Sequence, residues 1–394
     1  MTSRLHNALD SVLHNTTIRF GGAPGVVAMA TDHHSNFYEG ASGVRELGGS
    51  VAMTTDSVFA IFSTTKALTG TCIMQLVEEG KIRLSDDAGK YVPEIDAIQV
   101  LDGFDSNGNP RTRAPKRKIT INDLMLHTSG LCYEFFSEDD LKYRNAKSIP
   151  TVVSSSFDSI RTVLLHDPGA AWTYGVNIDW LGKIVEQQRG KRLGEVMKDR
   201  IFGPLGMQDI GFQMSDTMKK RRVTIHDRSA DGKLTPLPDL ALPDPPPMDM
   251  GGHGIYSTVG EYMKFIRMVL NDGNGPHGRV LKAETVEHMC QDGLQSLGLS
   301  AGGWTTSIPS LSNAGEFFPG MEKGWSYTFM TNREQAPSGR PAGSLMWAGL
   351  ANLFFWIDRK KGIGGYWATQ ILPFQDASSY PGFVEFETAV YHYR

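Results

Sequence analysis

Segments with the composition of β-strands lie at both ends of this chain, and the region between them has a helical pattern. Apolar residues bounded by turn residues predict strands at 25–30, 37–40, 325–330, 343–348, 353–357 and 365–372. Helical spacing of apolar residues predicts helices near 5–13, 121–127, 178–189, 261–270 and 384–393. We therefore predict an α+β fold with a discontinuous sheet domain, residues 1–85 and 291–394, and an inserted, mostly helical domain, residues 86–290.

The composition indicates a globular enzyme. The chain has 394 residues, 40% of them hydrophobic, and a formal net charge of −4. This mild charge favours neither nucleic acid nor a membrane as a partner. The N-terminus lacks the apolar core of a signal peptide, and the apolar stretch 345–357 is too short to span a bilayer. Three widely separated cysteines predict neither a disulfide framework nor a zinc site, so we expect a cytoplasmic protein without a metal or other cofactor.

Ser63 and Lys66 form a Ser-x-x-Lys pattern where a strand-like run, residues 57–62, gives way to a helix that we expect to end at Gly80. A serine at such a boundary commonly caps the helix with its hydroxyl. Residues three apart also share a helix face, so Lys66 would lie beside the hydroxyl and, if buried, would activate it. At this point the pattern leaves both interpretations open, helix cap and nucleophile.

A second candidate nucleophile is Ser300, in a G-x-S-x-G pattern at residues 298–302. This motif works on a strand–turn–helix elbow with an acid and then a histidine later in the chain. Here a glycine-rich loop surrounds it, and the only histidine that follows is His392. We therefore favour Ser63.

Two more segments follow Ser63 in a consistent order. Residues 167–177 (DPGAAWTYGVN) place Tyr174 and Asn177 in a turn before a helix, and residues 343–349 (GSLMWAG) run as a strand into a glycine. This arrangement resembles the class C β-lactamase-like serine hydrolases, and more closely the family VIII carboxylesterases and the lovastatin-type fungal acyltransferases. Other segments that carry the resemblance are 118–124 (KITINDL), 127–131 (HTSGL), 174–180 (YGVNIDW), 204–207 (PLGM), 251–254 (GGHG) and 356–358 (WID).

The resemblance implies a β-lactamase and penicillin-binding-protein-like fold, with an antiparallel sheet flanked by helices. It also implies that Ser63 attacks the substrate carbonyl and forms an acyl-enzyme. Lys66 and Tyr174 would take and return the protons, because an alcohol needs a base within hydrogen-bond reach. The sequence does not assign the proton between Lys66 and Tyr174, since coupled groups titrate as a unit.

The resemblance further implies an oxyanion site and a substrate-binding strand. The oxyanion donors would be the backbone N–H groups of Ser63 and Leu350, and Gly349 would let the strand approach the substrate. Asn177 is expected near the substrate. Antibiotic-binding members carry a basic residue where this chain has Trp347, which argues for a neutral ester over a β-lactam.

Several other residues have weaker signals. Four aromatic residues are candidates for the pocket lining: Phe135, Phe136, Trp325 and Tyr327. His127 and His253 each lie next to a glycine turn, and we expect both to be structural.

The sequence therefore favours a serine carboxylesterase that hydrolyses neutral esters through Ser63. The alternative is an acyltransferase that moves a short acyl group onto a natural-product alcohol, with an acyl thioester or a carrier protein as donor. A β-lactamase and a non-catalytic binding protein rank below both.

Overall fold

The computed structural model describes residues 2–19 and 21–394. Its strands are, in chain order, β1 (Gly25–Thr31), β2 (Asn36–Gly43), β3 (Val58–Ala60), β4 (Val100–Phe104), β5 (Pro110–Arg113), β6 (Ile210–Gly211), β7 (Ile225–Arg228), β8 (Leu234–Leu237), β9 (Tyr256–Thr258), β10 (Asn274–Gly275), β11 (Gly278–Arg279), β12 (Lys323–Trp325), β13 (Met330–Asn332), β14 (Leu345–Gly349), β15 (Leu353–Asp358), β16 (Ile363–Ala368) and β17 (Ile371–Leu372). Its α-helices are α1 (Thr2–Ile18), α2 (Thr65–Glu78), α3 (Ile121–Met125), α4 (Glu138–Lys147), α5 (Asn177–Arg189), α6 (Leu193–Met197), α7 (Gly203–Leu205), α8 (Asp216–Lys219), α9 (Val259–Leu270), α10 (Ala283–Cys290) and α11 (Ser379–Tyr393).

The central sheet is built from both ends of the chain. It has seven strands in the order β12-β13-β14-β15-β16-β1-β2, and every neighbouring pair is antiparallel. Two of these strands come from the N-terminal region and five from the C-terminal region. The predicted α+β class is thus confirmed.

Side chains alternate between the two faces of the sheet, as the period of a strand requires. On one face Phe355 of β15 packs against Tyr262 of α9, with ring centroids 5.3 Å apart. On the other face its neighbour Trp356 packs against Phe386 of α11, with ring centroids 6.0 Å apart. Both faces are therefore covered, α9 lying on one side and α11 with α1 on the other.

Helix α2 is the buried element at the junction between the sheet and the helices of the middle region. Residues 65–76 are buried, and the helix contacts α5 and α10. Its predicted end is confirmed, because α2 stops at Glu78 and Gly80 adopts a left-handed φ of 68°. The preceding strand β3 is shorter than expected and pairs with β9 in a separate three-stranded sheet.

Two strand predictions near the C-terminus were wrong. Residues 325–330 form the end of β12, a reversal, and the start of β13, because Thr328 has a left-handed φ of 86° and the Ser326 N–H donates to the Phe329 carbonyl. Residues 365–372 are also divided, since β16 ends at Ala368 and β17 pairs with β7 in another sheet. Turn geometry of this kind leaves no local apolar signal.

The last helix is longer than predicted. It begins at Ser379, and Pro381 falls within its first turn, where a missing N–H costs nothing. The division into domains at residues 85/86 and 290/291 stays a prediction, although α9 lies within the expected insertion and packs on the sheet. Among the described helices, none combines the length and apolar character needed to cross a bilayer.

Helix α11 offers a matched test of buried and exposed charge. Glu387 and Arg340 form a fully buried ion pair, whereas Glu385 pairs with Arg19 at side-chain exposures of 44% and 42%. Glu387→Gln leaves a buried guanidinium without its counter-ion, so we expect the free energy of unfolding to fall by about 3 kcal/mol. The control Glu385→Gln should cost less than about 1 kcal/mol. Urea denaturation measures both, and equal losses would contradict the burial described.

Candidate active site

The serine predicted to be the nucleophile lies in a tight turn, not at a helix cap. Phe62 is buried and has a φ of 44°, a left-handed value that is uncommon for a residue other than glycine. It starts a 3-10 turn, Phe62–Thr64, and α2 begins at Thr65 with Thr64 as its N-cap. Capping therefore does not account for Ser63, whose side chain lines a cavity.

Lys66 is fully buried and all its hydrogen-bond donors are used. Its Nζ donates to Ser63 Oγ at 3.2 Å, to Tyr133 Oη at 2.9 Å and to the Gly252 carbonyl at 2.8 Å. An ammonium has three N–H groups, so these contacts fix its position. Burial lowers the pKa of Lys66 to about 7, against the opposing charge of Asp179. The uncharged amine is thus accessible near neutral pH.

Tyr174 approaches the same serine from the turn before α5. Its hydroxyl accepts a hydrogen bond from Trp347 Nε1 at 2.9 Å and shares a hydrogen bond with Ser63. The Lys66 Nζ lies 4.6 Å from the centre of the Tyr174 ring. Burial raises the pKa of Tyr174, against the hydrogen bonds from Ser63 and Trp347, so the protonated phenol is favoured.

Strand β14 brings its last residues against the serine turn. A Cβ at Gly349 would lie 2.5 Å from the Ile61 carbonyl oxygen, so only glycine permits this approach. Leu350 follows immediately and lines the cavity. The oxyanion roles of the Ser63 and Leu350 N–H groups remain predictions.

The cavity measures about 430 Å³, which includes space open to solvent, and its wall is mostly aromatic. It is lined by Ser63, Phe135, Phe136, Trp172, Tyr174, Trp304, Trp347, Ala348, Gly349, Leu350 and Phe374. None of these lining residues is a lysine or an arginine. The wall includes Phe135 and Phe136, as the sequence suggested, and three aromatic residues that it did not indicate.

Two of the aromatic residues proposed for the pocket pack elsewhere. Trp325 is completely buried and its indole N–H donates to the Met125 carbonyl. Tyr327 donates from its hydroxyl to Asn122 Oδ1. Trp325 does pack against a residue of the cavity wall, because its ring lies edge-on to that of Trp347 with the ring centroids 4.5 Å apart.

Asn177 does not reach the cavity, so its predicted contact with substrate is corrected. The side chain is completely buried, donates to His127 Nδ1 at 2.9 Å and accepts from the Ser129 hydroxyl. Its amide nitrogen also donates to the Leu131 carbonyl at 3.4 Å, so both N–H groups are used within the protein and none of the side chain is exposed. Asn177 instead holds the 127–131 loop against the start of α5.

The histidines are buried scaffold residues and not part of a triad. Burial lowers the pKa of His253 to about 3, with a further contribution from Lys66, and the same two causes hold the pKa of His127 well below its usual value. Both rings are therefore neutral. Ser300 is remote from this chemistry, in a loop where its hydroxyl accepts from Arg333.

Sequence reasoning missed two residues of the site, Tyr133 and Asp179. Tyr133 follows the 127–131 segment by two positions and accepts from Lys66. Asp179 lies within the 174–180 segment, is fully buried and accepts the N–H of Gly252. The available signal was a polar residue in or beside a segment that carries the resemblance, and that signal does not say which side chains meet.

The chain is similar in sequence to proteins of one known family. A profile of the family described as Beta-lactamase matches residues 14–384. Monacolin J acid methylbutanoyltransferase from Aspergillus terreus is 29% identical over 381 residues, which cover 93% of this chain and 91% of that protein. Lovastatin esterase from Penicillium rubens is 31% identical over 378 residues, covering 90% of each.

A solved structure extends the likeness to three dimensions. Simvastatin synthase LovD from Aspergillus terreus, in its LovD6 mutant form, superposes with a TM-score of 0.83 at 28% identity and covers 98% of this chain and 94% of its own. The predicted β-lactamase-like fold is thus confirmed.

The site geometry predicts where a serine-directed reagent reacts. A fluorophosphonate should label the wild-type protein once, at Ser63, because that hydroxyl lies beside a lysine with a lowered pKa. Ser63→Ala should abolish labelling, and Ser300→Ala should leave it intact. Intact-mass and peptide mass spectrometry measure both. Label found on Ser300 would contradict the assignment.

Proposed function

Because the chain belongs to the beta-lactamase family, we propose that it is an acyltransferase that passes a short acyl group from Ser63 to a small-molecule alcohol. The observation that carries the proposal is the meeting of Ser63, Lys66 and Tyr174 at one wall of an aromatic cavity. The chain is an enzyme of the serine hydrolase and acyltransferase group with this fold. Its substrate and the direction of transfer are the proposed part.

In the first half-reaction Ser63 Oγ attacks the carbonyl of an ester or thioester donor. The proton of the hydroxyl passes to the Lys66–Tyr174 unit as the new C–O bond forms. The tetrahedral intermediate then expels the alcohol or thiol of the donor, which takes that proton and leaves the acyl group on Ser63. No cofactor is required for this step, since the donor supplies the leaving group.

In the second half-reaction an acceptor alcohol occupies the place of the departed leaving group. Its oxygen attacks the acyl carbonyl, its proton passes to the same unit, and Ser63 Oγ leaves with that proton. The product is a new ester and the free enzyme. If water attacks in place of the alcohol, the product is the carboxylic acid.

The environments of the two basic groups suggest different roles. Burial lowers the pKa of Lys66 to about 7, so its neutral amine can accept the serine proton. Burial raises the pKa of Tyr174, so its phenol suits proton donation to the leaving group. The hydrogen bond from Trp347 helps to hold that phenol in place. Tyr133 keeps the Lys66 side chain oriented toward Ser63.

Backbone groups would stabilise the charge that develops on the carbonyl oxygen. The Ser63 N–H and the Leu350 N–H are the proposed donors, because both residues line the cavity and Gly349 lets the strand approach the serine turn. Removing one such donor typically costs about 3–4 kcal/mol of transition-state stabilisation.

The apolar wall supports transfer of a neutral acyl group. A cavity lined mostly by aromatic rings suits a neutral acyl group and disfavours a bound carboxylate. The methylbutanoyltransferase and the simvastatin synthase also support transfer, so we rank it above the hydrolysis that the sequence favoured.

Hydrolysis is the second candidate, and one observation favours it. A relative named lovastatin esterase is 31% identical over 90% of the chain. The same residues serve both reactions, so only the acceptor distinguishes them.

Product analysis distinguishes the two functions. The enzyme is given p-nitrophenyl butyrate or a butanoyl thioester, with and without a panel of secondary alcohols that includes monacolin J acid. We expect a new butanoyl ester whose yield rises with alcohol concentration, measured by liquid chromatography and mass spectrometry. Ser63→Ala is the control and should give no product. Butyric acid as the sole product at every alcohol concentration would favour the esterase.

Trp347 provides a test of substrate charge. Wild-type enzyme should turn over short neutral esters and act far more slowly on nitrocefin, which bears a carboxylate. Trp347→Lys should raise the nitrocefin-to-ester ratio of kcat/KM by about tenfold, because a charged hydrogen bond to the carboxylate becomes available.

The matched control at this position is Trp347→Phe. It removes the N–H that donates to Tyr174 while adding no charge, so it should slow both substrates without changing their ratio. Wild-type preference for nitrocefin would contradict the proposed substrate class.

A further inference from the structure

Asp179 is a buried carboxylate that the mechanism above does not use. Its side chain lies on α5 and is completely buried, and its Oδ1 accepts the N–H of Gly252 at 2.8 Å. The carbonyl of the same glycine accepts a hydrogen bond from Lys66 Nζ at 2.8 Å. Gly252 thus connects the carboxylate to the ammonium through two hydrogen bonds.

This connection requires glycine at position 252. A Cβ there would lie 2.4 Å from Asp179 Oδ2 and 2.9 Å from its Oδ1. Any other residue would push the carboxylate away from the Gly252 N–H or move the segment that carries the carbonyl. The close contact between Asp179 and residue 252 is therefore possible only when that residue is glycine.

We propose that Asp179 is a positioning residue, which holds the Gly252 carbonyl against Lys66 and sets the pH range in which Lys66 is uncharged. The inference rests on the proposed role of Lys66 as the base that accepts the Ser63 proton. It adds a second buried charge to the site.

The sign of the electrostatic effect follows from the charges. Burial lowers the pKa of Lys66 and the Asp179 carboxylate opposes this, because an anion stabilises the ammonium. Burial raises the pKa of Asp179 and Lys66 opposes this, because the ammonium stabilises the carboxylate. Removing the anion lowers the pKa of Lys66 further, and the neutral amine then persists to lower pH.

Other groups around Lys66 do not supply this charge. Those that face it are Tyr133 and Tyr174, whose pKa values burial raises, and His127 and His253, whose pKa values burial lowers. All four are uncharged near neutral pH. Glu134 acts on Asp179 as a second carboxylate, and it pairs with Arg144. Among the described residues, Asp179 is the anion that the pKa of Lys66 responds to.

The test measures the reactivity of Ser63 as a function of pH. The second-order rate of fluorophosphonate labelling is followed by intact mass from mildly acidic to alkaline pH in wild type and Asp179→Asn. The wild-type rate should rise with pH as Lys66 loses its proton. Asn keeps the shape and an acceptor for Gly252 but not the charge, so the midpoint should move to lower pH by about one unit.

A remote buried carboxylate is the control. Glu387→Gln removes an anion of equal burial on α11 and should leave the midpoint where it is in wild type. An effect of general destabilisation would change the rates of both variants without moving either midpoint.

The outcomes separate this inference from the proposed function. Folded Asp179→Asn with an unchanged midpoint overturns the positioning role, whereas wild type that is never labelled at Ser63 overturns the proposed function. If Asp179→Asn does not fold, Gly252→Ala replaces it, because its Cβ would lie 2.4 Å from Asp179 Oδ2 and must break the contact between the carboxylate and Gly252. We then expect the midpoint to move from its wild-type value, and an unchanged midpoint again overturns the inference.

Discussion

The site depends on one buried ammonium whose three N–H groups are all satisfied. Lys66 donates to a serine in the 3-10 turn before its own helix, to a tyrosine in the loop after α3 and to a carbonyl in the loop before β9. A buried ammonium without such partners would cost several kcal/mol. Folding of these three segments is therefore coupled, since none of them can move away without leaving the charge unsatisfied.

The second dependence is between the sheet and the helical region. Trp347, on β14, donates to Tyr174, which precedes α5, so the hydrogen bond spans the two parts of the protein. Gly349 lets the same strand approach the serine turn. The sheet therefore does more than support the helices. Its strand β14 orients the Tyr174 phenol and forms part of the cavity wall.

Local pattern and family resemblance predicted the parts of the site that are close in sequence or lie in distinctive motifs. The Ser-x-x-Lys spacing predicts that the two side chains lie together, and the 3-10 turn Phe62–Thr64 that leads into α2 brings them within 3.2 Å. Tyr133 and Asp179 could not be predicted, because each is brought to Lys66 by packing between distant segments. Asn177 shows the opposite error, since its motif predicted a ligand contact but its neighbours use both of its polar atoms.

For the fold as well, features set by local sequence were predicted and features set by contacts or backbone conformation were not. The overall arrangement of strands at both ends and helices between followed from composition and periodicity. The hairpin between β12 and β13 did not, because its reversal depends on the backbone conformation of Thr328 and on no apolar pattern.

The left-handed backbone of Phe62 makes the position of Ser63, the proposed nucleophile, depend on the packing of the surrounding core. A residue other than glycine in that conformation is typically strained by about 1–3 kcal/mol, and it persists only where its surroundings leave no alternative. Its buried side chain must supply that constraint. Substitutions that loosen the packing around the Phe62 side chain would let this turn leave its left-handed conformation before the protein unfolds. Such variants would remain folded and yet lose reactivity. The substitutions tolerated near this turn are therefore limited first by the position that Ser63 must hold and only then by the stability of the fold.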